Sequence, residues 1–259
     1  LGVVRDRYVN LQPEEFMLFA EKLEADGLLQ IMELGQFGGG RELFIKCKLP
    51  GISFEINGGD KTDAYYMLRT SLDGTVSLHG MALLLRLWCM NQCPQKTLMA
   101  MAGLKGRIDF SGKHTASIHT KMHAAAQAIR EVGQHFQSLG EYAEKMAGKQ
   151  MSDGHFGAFS EYLVPNPEGE NARTGKAEGI RASLFEAFKR SPGNRGETVW
   201  DAFNAVTYRN TFMASSRSDE NRYKSLLGGA NSRLANQAGQ LLRVYVSSGI
   251  DGMSSYAEA

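Results

Sequence analysis

The chain of 259 residues has little cysteine, almost no net charge and no long apolar run, and each shortage removes a class of protein. Three cysteines, an odd number, do not make a disulfide framework and fit a reducing compartment. The most apolar stretch, residues 81–90, is interrupted by Arg86 and has about half the length of a membrane-spanning helix. No charged-then-apolar leader opens the chain, and no internal repeat runs through it. The expectation is a soluble, cytoplasmic protein with no membrane partner. Apolar residues at 42% and charged residues at 22% are ordinary globular usage, which excludes wholesale disorder.

Catalytic motifs are also missing. Gly35-Gln36-Phe37-Gly38-Gly39-Gly40 is followed by no Gly-Lys-Ser/Thr and opens no helix, so it reads as a hairpin turn and not as a phosphate cradle. Cys89 and Cys93 stand four apart without a second pair, and His119 and His123 share a helix face without the glutamate of an H-E-x-x-H site. No Gly-x-Ser-x-Gly elbow is present. Neither a catalytic residue, a metal site nor a cofactor is therefore expected. One enzymatic alternative stays open: Glu42, Glu55, Asp60 and Asp63 lie near predicted strands and could serve a metal-dependent nuclease.

What is present emerges when the net charge of +1 is partitioned. Residues 1–80 carry −4, residues 81–130 carry +6 and the remainder carries −1. A positive block of that density can track phosphates. Its members Arg86, Lys96, Lys105, Arg107, Lys113, His114 and Lys121 are the candidate DNA-binding residues, with Tyr65, Tyr66, Trp88 and Phe110 as candidate base-stacking surfaces.

Periodicity places this block in a fold. A short strand is expected over residues 3–9, then a helix from Pro13 to Asp26-Gly27 with Phe16, Phe19 and Leu23 on one face. Residues 30–33 and 42–49 flank the glycine turn as strands, and residues 52–56 resume the sheet after Pro50-Gly51. Asp73-Gly74 joins a second hairpin, residues 64–71 and 75–88, through a two-residue turn. From 117 to 147, Ile118, Met122, Ala125, Ile129, Val132, Phe136, Leu139, Tyr142 and Met146 recur at spacings of three and four, predicting one long amphipathic helix. Residues 148–179 read as a loop, helices follow at 180–190, 198–214 and 222–247, and the tail after Gly249 reads as loose. The fold class is α+β: an antiparallel hairpin sheet packed on a long helix (residues 1–150), a loop or hinge (151–179) and a helical C-terminal region (180–259).

Three stretches carry a family resemblance. They are Leu83-Leu84-Leu85-Arg86-Leu87-Trp88-Cys89-Met90-Asn91-Gln92, Lys113-His114-Thr115, and Asn194-Arg195-Gly196-Glu197-Thr198-Val199-Trp200-Asp201-Ala202-Phe203-Asn204-Ala205-Val206-Thr207. With Ser71-Leu72-Asp73-Gly74 before them and Gly228-Gly229-Ala230-Asn231-Ser232-Arg233-Leu234-Ala235 after, they resemble the phage/plasmid-like proteins grouped as domain of unknown function 932. The resemblance implies a mobile-element context and no activity. The family's usual acidic–His pair is replaced here by Tyr208-Arg209-Asn210-Thr211-Phe212. A second resemblance is architectural: two hairpins followed by a long helix are similar to the core of Red-beta/RecT recombinases and Rad-type annealing proteins. It implies a homo-oligomeric ring or filament that holds single-stranded DNA in a basic groove, with a phage exonuclease or host single-strand binding protein as a further partner. The alternative is an interaction module that inhibits or recruits a host factor.

Overall fold

The computed structural model describes residues 8–56, 59–87, 90–104, 109–168 and 174–258; of Lys96, His119, Lys121 and Ala124 it describes the backbone alone. The strand expected over 3–9 falls outside the described residues, apart from Tyr8 and Val9, which are not in a strand. The chain is α+β, with an antiparallel sheet followed by a helical C-terminal part. It divides into two compact units. The first comprises Leu1–Phe54, Thr62–Leu85 and Lys105–Gln137; the second comprises Glu55–Lys61, Arg86–Leu104 and Ser138–Ala259. The chain passes between the units several times, the last time at residue 137 within the long helix.

In the first unit, helix α1 (Pro13–Ala25) starts as its proline and acidic first turn dictate, and buries Phe16, Ala20 and Leu23. Strand β1 (Gln30–Phe37) pairs antiparallel with β2 (Glu42–Ile56), and α1 packs on β1. Their turn uses Gly38, Gly39 and Gly40, all at positive φ, a run that only glycine adopts without strain. The sheet continues through β3 (Asp60–Ser71) and β4 (Leu78–Arg86), and β6 (Phe110–Gly112) pairs with β4. Nearly every residue of β4 is buried, which explains why its sequence reads as an apolar run without alternation; β3 is mostly buried as well, with Thr62, Asp63, Thr70 and Ser71 among its buried residues. Helix α3 (Ile118–Gly148) supplies one cover: Phe136 lies 5.3 Å from Phe54, ring centre to ring centre.

Two strand expectations change. Residues 42–49 and 52–56 form one continuous strand, because exposed Pro50 needs no ladder partner and Gly51 takes a positive φ. The β3–β4 connection is also wider than a two-residue turn. Asp73 accepts hydrogen bonds from the Thr75 backbone and hydroxyl, and Ser71 Oγ bridges to the backbone of Val76, so side chains close a six-residue loop.

The second unit holds β5 (Asn91–Pro94), α2 (Gln95–Ala102) and a helical array: α4 (Asp153–Leu163), α5 (Gly175–Arg190), α6 (Val199–Tyr208), a π-helical turn (Arg209–Met213), α7 (Asp219–Gly228) and α8 (Ala230–Ala257). The loop expected at 148–179 contains α4. Ser152 Oγ caps it by accepting from the His155 amide, and Phe156, Phe159 and Leu163 are buried on one face. The tail is helical as well: α8 turns at Gly249, whose φ is +71°, and runs on with Met253 buried.

Candidate functional site

Arg86 stands at the end of β4 behind an apolar run, and that context takes its guanidinium inward; the residue is 3% exposed. Its Nε donates to both Asp60 carboxylate oxygens at 2.7 and 2.8 Å, and one terminal nitrogen lies 2.6 Å from Oδ2. The remaining donors reach Asn194 Oδ1 at 2.8 Å and the Gly193 carbonyl at 2.9 Å. Trp200 Nε1 completes the carboxylate's shell at 2.8 Å from Oδ2. A buried arginine with four of its five N–H groups committed in this way presents no open guanidinium to a phosphate. Arg86 is therefore removed from the DNA-binding set.

The same network explains the third motif. Asn194 also donates to the Asp201 carbonyl at 2.8 Å, while Asp201 and Thr198 form the capping box that starts α6. Asp60, Asn194, Thr198, Trp200 and Asp201, together with exposed Arg195 and Glu197, line a cavity of about 450 Å³. One turn further on, Asn91 donates to Asn204 and Thr207, and Asn204 donates back to the Trp200 carbonyl at 2.9 Å. Asn210 and Asn231 then exchange side-chain-to-backbone bonds at 2.9 and 3.2 Å. The polar residues of the recognisable motifs are thus satisfied largely by one another, which is what buried polar groups require.

Lys113 and His114 of the basic block lie in the first unit. Lys113 is exposed between β6 and α3. His114, its neighbour, is buried: its ring stacks on Tyr8 at 5.2 Å and its Nε2 lies 3.1 Å from Thr70 Oγ1. Burial pushes the imidazole below its ordinary pKa, against smaller opposing backbone contacts from Val9 and Val76. A neutral, enclosed ring is a core residue of this corner, so His114 also leaves the phosphate-contact set. Lys105 and Arg107 lie outside the described residues. Lys96 sits on α2 in the second unit and Lys121 on the first turn of α3, both known by backbone alone.

One further expectation is corrected. Tyr65, Tyr66 and Phe110 are buried and offer no stacking platform, while Trp88 lies outside the described residues. The carboxylates nominated for a nuclease are largely engaged: Glu42 pairs with Arg69, Asp60 with Arg86, and Asp63 with Lys48 at 2.6 Å, leaving Glu55 exposed and unassigned. Among the described residues no group of three His, Cys, Asp or Glu side chains could hold a metal ion, and no helix is long and apolar enough to cross a membrane.

Antiparallel sheet, long helix, helical C-terminal part and an interlocked set of buried polar side chains define an α+β protein whose recognisable motifs build structure before they build chemistry. The chain belongs to the family described as Domain of unknown function (DUF932), whose model matches residues 1–227. No curated protein and no solved structure matches it.

Proposed function

We propose that this chain binds single-stranded DNA and anneals complementary strands as a homo-oligomer, acting without enzymatic chemistry in the recombination of a phage or plasmid-like element. The observation that supports the reading best is the stretch 105–121, which carries Lys105, Arg107, Lys113 and Lys121 against Asp109 alone and leads through β6 into the first turn of α3. In the sequence these cations precede or fall in the first turn of a 31-residue helix, whose terminal amides favour phosphate as they do. Phosphate neutralisation leaves the bases free to pair with a second strand, and pairing itself needs no nucleotide. A phage exonuclease that makes the single strand, or a host single-strand binding protein that yields it, would be the matching partner.

The test is fluorescence anisotropy of a labelled oligothymidine across salt concentrations. Each phosphate contact to a single strand contributes about 0.7 to the slope of log K against log salt. Replacing Lys105, Arg107 and Lys113 together by Glu should lower that slope by about 2 and abolish strand annealing. Binding that ignores these reversals, or the absence of single-strand binding at low salt, overturns the reading. Capture of a protein partner that survives nuclease treatment and the same reversals would favour the interaction module instead.

A further inference from the structure

The loop between α5 and α6 is fixed at almost every residue. Arg86 donates to the Gly193 carbonyl and to Asn194 Oδ1, and the Asn194 amide donates onward to the carbonyls of Ala187 and Asp201 at 3.3 and 2.8 Å. Lys189 Nζ holds the Gly196 carbonyl at 3.2 Å, and the Met151 amide holds that of Glu197 at 2.8 Å. Gly196 takes a φ of +70° so close to Lys189 that a Cβ would meet its side chain at 2.5 Å. The loop is thus a rigid frame, and it forms one wall of the cavity of about 450 Å³.

Two charged groups of that wall are uncommitted and a third is half-committed. Among the described residues neither the Arg195 guanidinium nor the Glu197 carboxylate has a hydrogen-bond or ion-pair partner, and the two do not pair with each other. Asp201, which also lines the cavity, is 5% exposed. Its Oδ2 accepts from the amides of Glu197 and Thr198 at 3.1 and 3.2 Å, while Oδ1 takes no hydrogen bond from any described residue. A carboxylate oxygen enclosed without a donor is destabilising, and a ligand's N–H would remove that penalty. The remaining charge of the wall, Asp60, is already neutralised by Arg86. One positive and two negative groups are left.

We propose that this cavity binds a free basic amino acid, with its carboxylate on Arg195 and its two cationic groups on Asp201 and Glu197. The charges match one for one, every pair is a charge-assisted hydrogen bond, and a guanidinium can take a carboxylate through two parallel N–H bonds. A nucleotide phosphate would also seek Arg195, but it would bring further negative charge to a wall that is already net negative. Ile56, Ala147 and Trp200 supply the apolar part of the wall, against which the methylene stem of lysine or arginine packs. The volume falls within the range of about 300–1,000 Å³ that small-molecule sites occupy. The site goes beyond the annealing reading and does not depend on strand binding by residues 105–121.

Isothermal titration calorimetry of the full chain with L-arginine and L-lysine tests this, and both should bind. Agmatine, which is arginine without its carboxylate, and norleucine, which is lysine without its ε-amine, should each bind about tenfold more weakly than the parent. Arg195→Gln should weaken arginine about tenfold and leave agmatine as in wild type, whereas Glu197→Gln should weaken both. Circular dichroism melts matching wild type confirm that the two variants fold, as expected for exposed side chains without partners. Four results overturn the proposal. They are no binding of either amino acid at millimolar concentration, agmatine, norleucine or Nα-acetyl-lysine binding as tightly as its parent, deoxycytidine monophosphate outcompeting arginine, or wild-type affinity for arginine in either variant.

Discussion

At the scale of single residues, Asp60 decides most in the second unit. It supplies the carboxylate that pairs with Arg86, and it also accepts from Trp200. Asp60→Ala leaves a buried guanidinium without its counter-charge, and equilibrium urea unfolding should show a loss of about 3 kcal/mol. Asp60→Asn keeps the shape and part of the hydrogen bonding and should lose less, which separates charge from packing. His114 makes a different prediction. Burial lowers its pKa from the ordinary 6.5, so the native ring stays neutral where the unfolded chain already takes up a proton. Stability is then unaffected above pH 6.5 and declines as pH falls below it, until the folded pKa is reached. Urea midpoints at pH 7.5 and pH 5.5 should differ in wild type, and His114→Gln should narrow that difference.

At the scale of elements, legibility followed the strength of the local pattern. Helix α3 was readable almost to the residue because its apolar positions recur over eight turns, and the structure buries all of those named except half-buried Tyr142. Helix α4 was unreadable because Gly154 and Gly157 dilute its propensity while its evidence, the burial of three apolar side chains, is tertiary. Arg86 failed for the same reason at the site: charge is visible in the sequence, but the partner Asp60 stands 26 positions earlier and nothing local announces it. The signal that could have found it was the apolar run around it, since a cation inside such a run is usually paired and enclosed. These assignments are checkable through the ends of helices. Ser152→Ala removes the cap of α4 and should reduce stability by about 1 kcal/mol. Gly249→Ala forces a side chain onto φ +71° and ψ −160° and should cost about 2 kcal/mol in thermal or urea unfolding. An unchanged midpoint in the second variant would mean the turn in α8 relaxes.

At the scale of the whole molecule, the two units raise a thermodynamic question that two native thiols can answer. Cys47 lies in the first unit and Cys93 in the second; both are free and buried, and burial raises each pKa to about 12. At pH 8 the thiolate fraction is then of order 10⁻⁴, so neither thiol reacts until its surroundings open. Labelling under increasing urea, with each modified peptide resolved by mass, therefore reports one midpoint per unit. Asn204→Ala perturbs only the second, where it removes a partner of Asn91 and the donor to the Trp200 carbonyl, a loss of about 2 kcal/mol. If the units open separately, the Cys93 midpoint falls and the Cys47 midpoint stays. That is the expected outcome, because each unit encloses its own set of fully buried side chains, Phe16, Ile45 and Leu49 in one and Phe156, Phe159 and Phe188 in the other. Equal shifts at both thiols would show instead that the chain unfolds as a single cooperative body, and that the division into two units is one of geometry without a matching division of stability.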